Sequence, residues 1–317
     1  PGSRVPTLKE LCAMFELSTG SAVRGINELV ERGLLEVRHG AGTFVRDRRD
    51  DLPAWSEELR IALFIVANDP SQYCAHALCG VQDLAQQHHA MLQTRYISHE
   101  EMNEAILRRA AAETDALLFL GDYDPFINRL PERIPAVGFE FQNSFNRLCS
   151  TVTLDPVDAA LTAVEFFRER GCRRVRLISH PETPFQKLRG ELFALRWRES
   201  GGELIELPSH PYRLAELGDV FTDPEAGYLF VSGTTCCNLM CAHRQKNGGE
   251  IARERTILSI DGKSRLIPYF PPVNTIGIDY YEAGCAAFGE CLRRIGHPGS
   301  SARRIYLPGR LFTIDED

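Results

Sequence analysis

Residues 17–45, LSTGSAVRGINELVERGLLEVRHGAGTFV, decide how this chain is read. Ser18 stands where a helix begins, and Ala22, Ile26, Leu29 and Val30 recur at i, i+4, i+7 and i+8, the spacing of one helical face. That helix runs from 18 to 32, and Gly33 follows where a left-handed residue closes a helix. Upstream, Thr7 with Glu10 three residues on is a reciprocal capping pair, opening a short helix that carries Leu8, Leu11, Cys12 and Phe15 and ends near Glu16. Two helices across a three-residue turn make a helix-turn-helix, with the polar first turn of the second (Ser18, Thr19, Gly20, Ser21) facing outward. Residues 34–38 and 43–46 then read as two short strands around His39-Gly40-Ala41-Gly42, a wing.

PGSRVPTLKEL, LSTGSAVRGINELVERGLL and HGAGTFV, in this order and spacing, resemble the DNA-binding domain of the GntR family of bacterial transcription regulators. The resemblance implies DNA contacts from Lys9, Thr19, Ser21, Arg38, His39, Gly40 and Gly42. The family often has Arg where Thr19 stands, and its recognition-helix Arg falls at Val23 with Arg24 beside it, so Arg24 is the substitute candidate. The family also carries a helix before the Pro-Gly-Ser segment. Without it Leu11, Phe15, Ile26 and Leu29 stay exposed, and the expectation is a natural protein extending about 25–35 residues further. The competing reading is a small helical cap on an α/β protein, with Arg24 and Arg38 as solvated charges.

A chain of 317 residues, 44% hydrophobic and 25% charged, is an ordinary globular composition long enough for two or three domains. Its net charge of −7 argues against coating nucleic acid. Residues 1–50 hold eight Lys/Arg against seven Asp/Glu, so +1 of the total, leaving −8 for the rest; only the N-terminal module suits DNA. No run of 18 apolar residues exists, so no membrane partner is expected. Ten irregularly spaced cysteines, with Cys236, Cys237 and Cys241 the only cluster, read as mostly buried reduced thiols in the cytoplasm rather than as a zinc site.

Residues 49–59 are charged, broken by Pro53, and read as a linker between a winged domain (1–48) and a larger domain (60–317). From residue 60 apolar runs alternate with helices. Strands are expected at 61–66, 91–97, 116–121, 135–139 and 150–154, then 175–179, 203–207, 228–232, 256–261, 273–279 and 303–308. Helices fall at 73–89, 100–113, 156–170, 186–199, 234–246 and 280–295. The alternation implies two parallel sheets covered on both faces. DALLF, PAVGF, STVTLDPVDAALTAVEFFRERGCRRVRLIS, SIDG, PPVNTI and RIYLPGRLF are similar to the effector-binding domain of the LacI family, which has the periplasmic sugar-binding-protein fold. The resemblance implies two flavodoxin-like lobes joined by three crossovers near 150–156, 262–279 and 306–317, with a ligand between them.

Ligands of open parallel sheets bind beyond the carboxyl ends of strands, which nominates Asn68, Asp69, Tyr73, Glu140 and Asp261. The resemblance maps ligand contacts onto Glu140 and Asp261, and places Lys187 where the family has a ligand Arg, with Arg189 two residues on. The family's Asn-Asp after the 228–232 strand is here Gly233-Thr234. The expected protein is thus a homodimeric, ligand-responsive regulator, a repressor rather than an activator, binding operator DNA and a sugar and needing no cofactor. A sugar-binding protein without DNA function is the alternative. An enzyme is the remoter one, since no nucleophile elbow, Walker loop or HExxH is present.

Overall fold

Near-continuous apolar strands stay soluble only when helices cover both faces of their sheet, and that requirement shapes most of the chain. The computed structural model describes residues 3–15, 17–31, 35–38, 40–45, 59–66, 72–98, 100–121, 130, 134–139, 149–179, 184–208, 220–248, 251, 255–260 and 273–314. Two units are distinguished, Pro1–Ala54 and Trp55–Asp317.

In the first unit, α1 (Leu8–Phe15) and α2 (Thr19–Glu31) are followed by a hairpin of β1 (Leu35–Arg38) and β2 (Gly42–Val45). The capping pair forms as its residues require: the Thr7 N–H donates to Glu10 Oε2 at 2.7 Å, and the Glu10 N–H donates to Thr7 Oγ1 at 3.4 Å. The Thr7 N–H and, at 2.8 Å, the Thr7 hydroxyl both donate to this carboxylate and hold Glu10 below its ordinary range. Ser18 caps α2, accepting from the Ser21 N–H at 3.2 Å. The wing turn needs left-handed backbone at Gly40 (φ 74°) and a φ of 117° at Gly42. One feature was not expected: the Val5 N–H donates to the Thr43 carbonyl and the Val45 N–H to the Ser3 carbonyl, so residues 3–5 line the hairpin as a third strand. Packing here is thin. Ala22 and Leu35 are the buried apolar side chains among the described residues, while Phe15 is 62% exposed.

The second unit holds two six-stranded sheets. The first runs β4-β3-β5-β6-β7-β13, all parallel: β3 (Arg60–Val66), β4 (Met91–Ile97), β5 (Ala116–Gly121), β6 (Ala136–Phe139), β7 (Cys149–Leu154) and β13 (Arg304–Leu307). The second runs β9-β8-β10-β11-β12-β14: β8 (Arg174–Ser179), β9 (Glu203–Pro208), β10 (Gly227–Phe230), β11 (Ile257–Ile260), β12 (Asn274–Gly277) and antiparallel β14 (Arg310–Phe312). Counted within each lobe, both follow the doubly wound order 2-1-3-4-5 with one strand added from the 304–312 segment.

Helices α3 (Gln72–Gln87) and α8 (Tyr280–Gly296) cover one face of the first sheet, and α4 (Glu104–Glu113) the other, its Leu107 and Ala110 clustering with Phe64 and Phe119. In the second lobe, α5 (Pro156–Glu169) and α6 (Pro184–Glu199) bring Phe167, Phe193 and Trp197 together, with centroids 5.9–6.2 Å apart. Opposite them, α7 (Gly233–Asn247) packs on Tyr228, Phe230 and Ile257. Helix α4 starts at Glu104 rather than near 100, because Asn103 caps it by accepting from the Ile106 N–H while Ser98 and Glu101 bond each other in the preceding turn. Strand β14 was not foreseen; three residues after a Pro-Gly carry too little pattern. Among the described residues Cys149, Cys236, Cys237 and Cys291 are buried, whereas Cys79 is exposed. No described helix is long and apolar enough to cross a membrane.

Candidate functional sites: a DNA-facing wing and an interlobe cleft

The first unit gathers the polar positions that its motifs nominate. Lys9 is exposed on α1, and Thr19 is exposed at the start of α2, where unpaired backbone N–H groups favour an anion. The Ser21 hydroxyl lies 2.9 Å from that of Ser18, tying it to the cap. Arg24 is exposed, its Nε donating back to the Gly20 carbonyl at 3.3 Å. Arg38 donates to Glu36 Oε1 at 2.7 Å and stands 4.7 Å over the Phe44 ring, so it is partly neutralised before any phosphate arrives. Gly40 and Gly42 shape the turn, and His39 lies outside the described residues. Sequence reasoning missed Arg4. Its residue bridges Phe44, and a Cβ on Gly42 would sit 3.1 Å from its Nε, so Arg4 lies along the wing. The signal for it was Arg4 standing just before the Thr7 cap, but nothing in the spacing showed a third strand.

In the second unit three connections pass between the lobes. β7 leads through Asp155 into α5, β12 leads through Ile278 and Asp279 into α8, and β13 leads through Pro308 and Gly309 into β14. All three leave from carboxyl ends of parallel strands, so those ends in both lobes border one cleft. The connections are tied together. The Asp155 N–H donates to the Leu307 carbonyl at 2.8 Å, the Gly309 N–H to Asp158 Oδ2 at 2.6 Å, and Arg310 reaches Asp279 (3.5 Å) and Glu282 (3.6 Å). A Cβ at Gly309 would crowd Ile276 at 3.0 Å and Leu154 at 3.2 Å, one residue from each of the other two crossing strands.

The ligand candidates divide. Asn68, Asp69, Glu140 and Asp261 lie outside the described residues, as does the side chain of Tyr73, whose backbone belongs to α3. Lys187 and Arg189 are separated. Two positions apart on a helix they point about 200° from each other. Lys187 is exposed with Nζ 3.7 Å from Glu191, whereas Arg189 is 4% exposed, beside Gly190, whose Cβ position meets Ser179 and Val231 at the strand ends. Ser232 caps α7 by accepting from the Thr235 N–H, which leaves Thr234 exposed on the first turn of α7 at the end of β10. That hydroxyl was absent from the sequence nominations. Among the described residues no group of His, Cys, Asp and Glu is placed to hold a metal.

Comparison with known proteins adds to this geometry. Residues 1–45 match the family model described as bacterial regulatory proteins, gntR family. No curated protein sequence matches the chain significantly. Among solved structures, the chain is similar to a periplasmic binding ribose operon repressor protein from Lactobacillus acidophilus (11% identity, TM-score 0.62, over 81% of this chain and 98% of that one). It is also similar to a LacI family transcriptional regulator from Enterococcus faecium with bound ribose (17% identity, TM-score 0.60, 80% and 97%). A third likeness is to the lac repressor dimer bound to operator and the anti-inducer ONPF (14% identity, TM-score 0.60, 85% and 98%). The N-terminal unit is thus of GntR type, and the second unit has the two-lobed fold of these regulators.

Proposed function

We propose that this chain is a ligand-responsive transcription regulator, a repressor rather than an activator. It would grip operator DNA through its winged helix and hold a sugar or sugar derivative between its two lobes. The observation that carries the reading is the joining, in one chain, of a GntR-type wing to a two-lobed fold whose similar structures include one on operator DNA and one holding ribose.

The residues take distinct roles. Lys9 and Arg38 meet phosphates and position the protein without reading sequence, whereas Thr19, Ser21 and Arg24 open the helix that meets base edges. His39, Gly40 and Gly42 let the wing backbone lie close to a groove. In the cleft, Asp261, Glu140, Asn68 and Asp69 accept from sugar hydroxyls, Tyr73 covers a ring face, and Arg189, turned into the lobe while Lys187 faces solvent, supplies positive charge. Domains divide at 1–48, 49–59 and 60–317, and two chains pair in the cytoplasm to place two wings on a pseudo-palindromic site. A ligand bound better by one arrangement of the lobes than by the other shifts the population, and with it the spacing of the wings.

The test is a sugar panel screened by thermal shift on the whole chain, followed by operator binding with and without each hit. A sugar at a hundred times its Kd stabilises the native state by about 2.7 kcal/mol. Asp261→Asn should cost roughly tenfold to a hundredfold in sugar affinity while leaving ligand-free operator binding intact. A chain that binds no DNA, or whose DNA binding no stabilising sugar alters, refutes the reading.

A further inference from the structure

The six strands of the first sheet are parallel, so all begin at one end of the lobe, the end away from the cleft. Helix α8 finishes there: the Arg294 Nη1 donates to the carbonyl of Ala136, the first residue of β6, at 2.8 Å. Residues 290–304 lead on into β13 and hold four arginines against one carboxylate, +3 inside a region (51–317) whose total is −8. The acidic total conceals this island from a count of composition. Its carboxylate, Glu290, is buried and neutralised on the spot. It accepts from Ser150 at 2.7 Å, from Arg293 through two bonds of 2.7 Å, and from the Arg303 Nε at 2.8 Å. One negative charge thus serves two guanidinium groups. The Arg303 side chain stays 48% exposed, and among the described residues its Nη atoms meet no carboxylate.

A helix C-terminus attracts cations, which accounts for Arg293 and Arg294 but not for Arg303 and Arg304, which arrive on a loop and a strand. Arg60, the first residue of β3, stands exposed at the same end. Opposing charge is slight. Asp115 accepts from the Arg60 N–H at 2.8 Å, and Glu113 is shared by Arg95 (3.7 Å) and Arg109 (3.0 Å). The matching end of the second lobe is nearly balanced. There Arg173, Arg174, Arg176 and Arg255 stand with Glu203, Asp223 and Glu225, and Arg174 is held between Glu203 (3.0 Å) and Asp223 (2.9 Å).

We propose that the strand-start end of the first lobe is a second phosphate-binding surface, which engages the backbone of the DNA that the wing grips. The inference rests on the operator-binding reading above and adds a contact outside the winged helix. Four strand spacings separate β3 from β13, so the arginines are spread along about 19 Å, against one charge per about 1.7 Å of duplex axis. Guanidinium groups suit phosphate oxygens and read no base there, so the surface adds affinity without sequence preference. Connectivity favours DNA over an unattached polyanion. The chain enters the lobe from residues 1–48 at Arg60, so a duplex held by the wing is tethered to this end, and a short flexible linker sustains effective concentrations of about millimolar.

The test is fluorescence anisotropy of the whole chain over a sodium chloride series, with a duplex it selects from a random-sequence pool and an unselected duplex of equal length. Arg303→Gln removes one guanidinium. Ser301→Glu opposes the surface from an exposed residue that joins the Glu290 network only through its carbonyl, and Arg196→Gln on α6 repeats the loss of charge elsewhere. Affinity varies as salt to about the −0.9 power per phosphate contact, so losing one contact weakens binding about eightfold at about 0.1 M salt and shallows the slope by about 0.9. Arg303→Gln and Ser301→Glu should each show this on both duplexes, with the preference between duplexes unchanged and Arg196→Gln at the original slope. Original slopes in both variants overturn the surface and leave the operator reading standing. A loss confined to Arg303→Gln, with a lowered thermal transition, also overturns it and makes Arg303 a support for Glu290. A chain that selects no duplex overturns the operator reading, and this surface with it.

Discussion

Gly284→Ala puts two opposing effects on the same atom. Gly284 faces α3 so closely that an added Cβ would lie 2.0 Å from the Ala77 carbonyl oxygen and 2.8 Å from its carbon. Both are backbone atoms, so no rotamer can relieve the contact, and the helices would have to part by about 1–1.5 Å to restore ordinary separation. Overpacking of this kind costs about 1–3 kcal/mol, and sometimes more. Against it, Ala is about 1 kcal/mol better than Gly in a helix interior. Because the clash is with backbone the packing cost sits near the top of that range, about 3 kcal/mol, and it should win for a net loss of about 2 kcal/mol. Gly289→Ala in the same helix isolates the propensity term, since nothing lies within 4 Å of its Cβ position. It should gain up to about 1 kcal/mol. Urea unfolding read by far-ultraviolet circular dichroism and by the buried Trp197 separates the two. With a slope of about 3 kcal/mol per molar, the Gly284→Ala midpoint falls by roughly 0.7 M. If Gly284→Ala raised the midpoint as Gly289→Ala does, the close crossing of α3 and α8 would be refuted.

Other expectations are briefer. Glu290 is buried with Ser150 at 2.7 Å, Arg293 at 2.7 Å and Arg303 at 2.8 Å. Burial alone would raise its pKa, but Arg293, Ser150 and Arg303 outweigh it and the value is lowered from 4.5. Its contribution is thus present above about pH 4.5 and lost as pH falls through the depressed folded value. Glu290→Gln should cost about 2–3 kcal/mol at neutral pH, less than a fully buried pair because Arg303 is half exposed, and should flatten acid unfolding below pH 4.5; an unchanged acid limb would sink this. On DNA, Lys9→Ala should shallow the salt dependence by about one unit for its lost phosphate contact, and Arg38→Ala by less, since Glu36 already pairs with it. A change of preferred sequence with an intact salt slope for Lys9→Ala would reverse the assigned roles.

Periodicity made most of this fold legible. Strands at 91–97 and 116–121 fall where their apolar runs place them, and the Thr7–Glu10 and Asp155 caps form as their residue types require. What escaped the sequence was pairing between distant or short segments. Residues 3–5 join the wing through backbone bonds alone, and β14 rests on three residues, so neither leaves a side-chain pattern. Sites were harder to read than elements. Lys187 and Arg189 look equivalent in sequence, and helical rotation alone sends one to solvent and the other into the lobe. Arg38 looks like a free cation until Glu36 and Phe44 are seen beside it.

The close seating of α8 on α3 also has a consequence for how the chain is made. The hydrogen-bonded residues Asp83 and Tyr281 are 198 positions apart, and all of the second lobe's described elements except β14 are synthesised between them. At about 5–20 residues per second, the groove around Ala77 and Gly80 emerges roughly 10–40 s before the helix that fills it. During that interval the nascent first lobe has its apolar helix without its mate, and a holding chaperone has a defined segment to shield. A synonymous-codon change that slows translation between these two helices should lengthen that exposure and lower the yield of native protein, with no change in the amino-acid sequence.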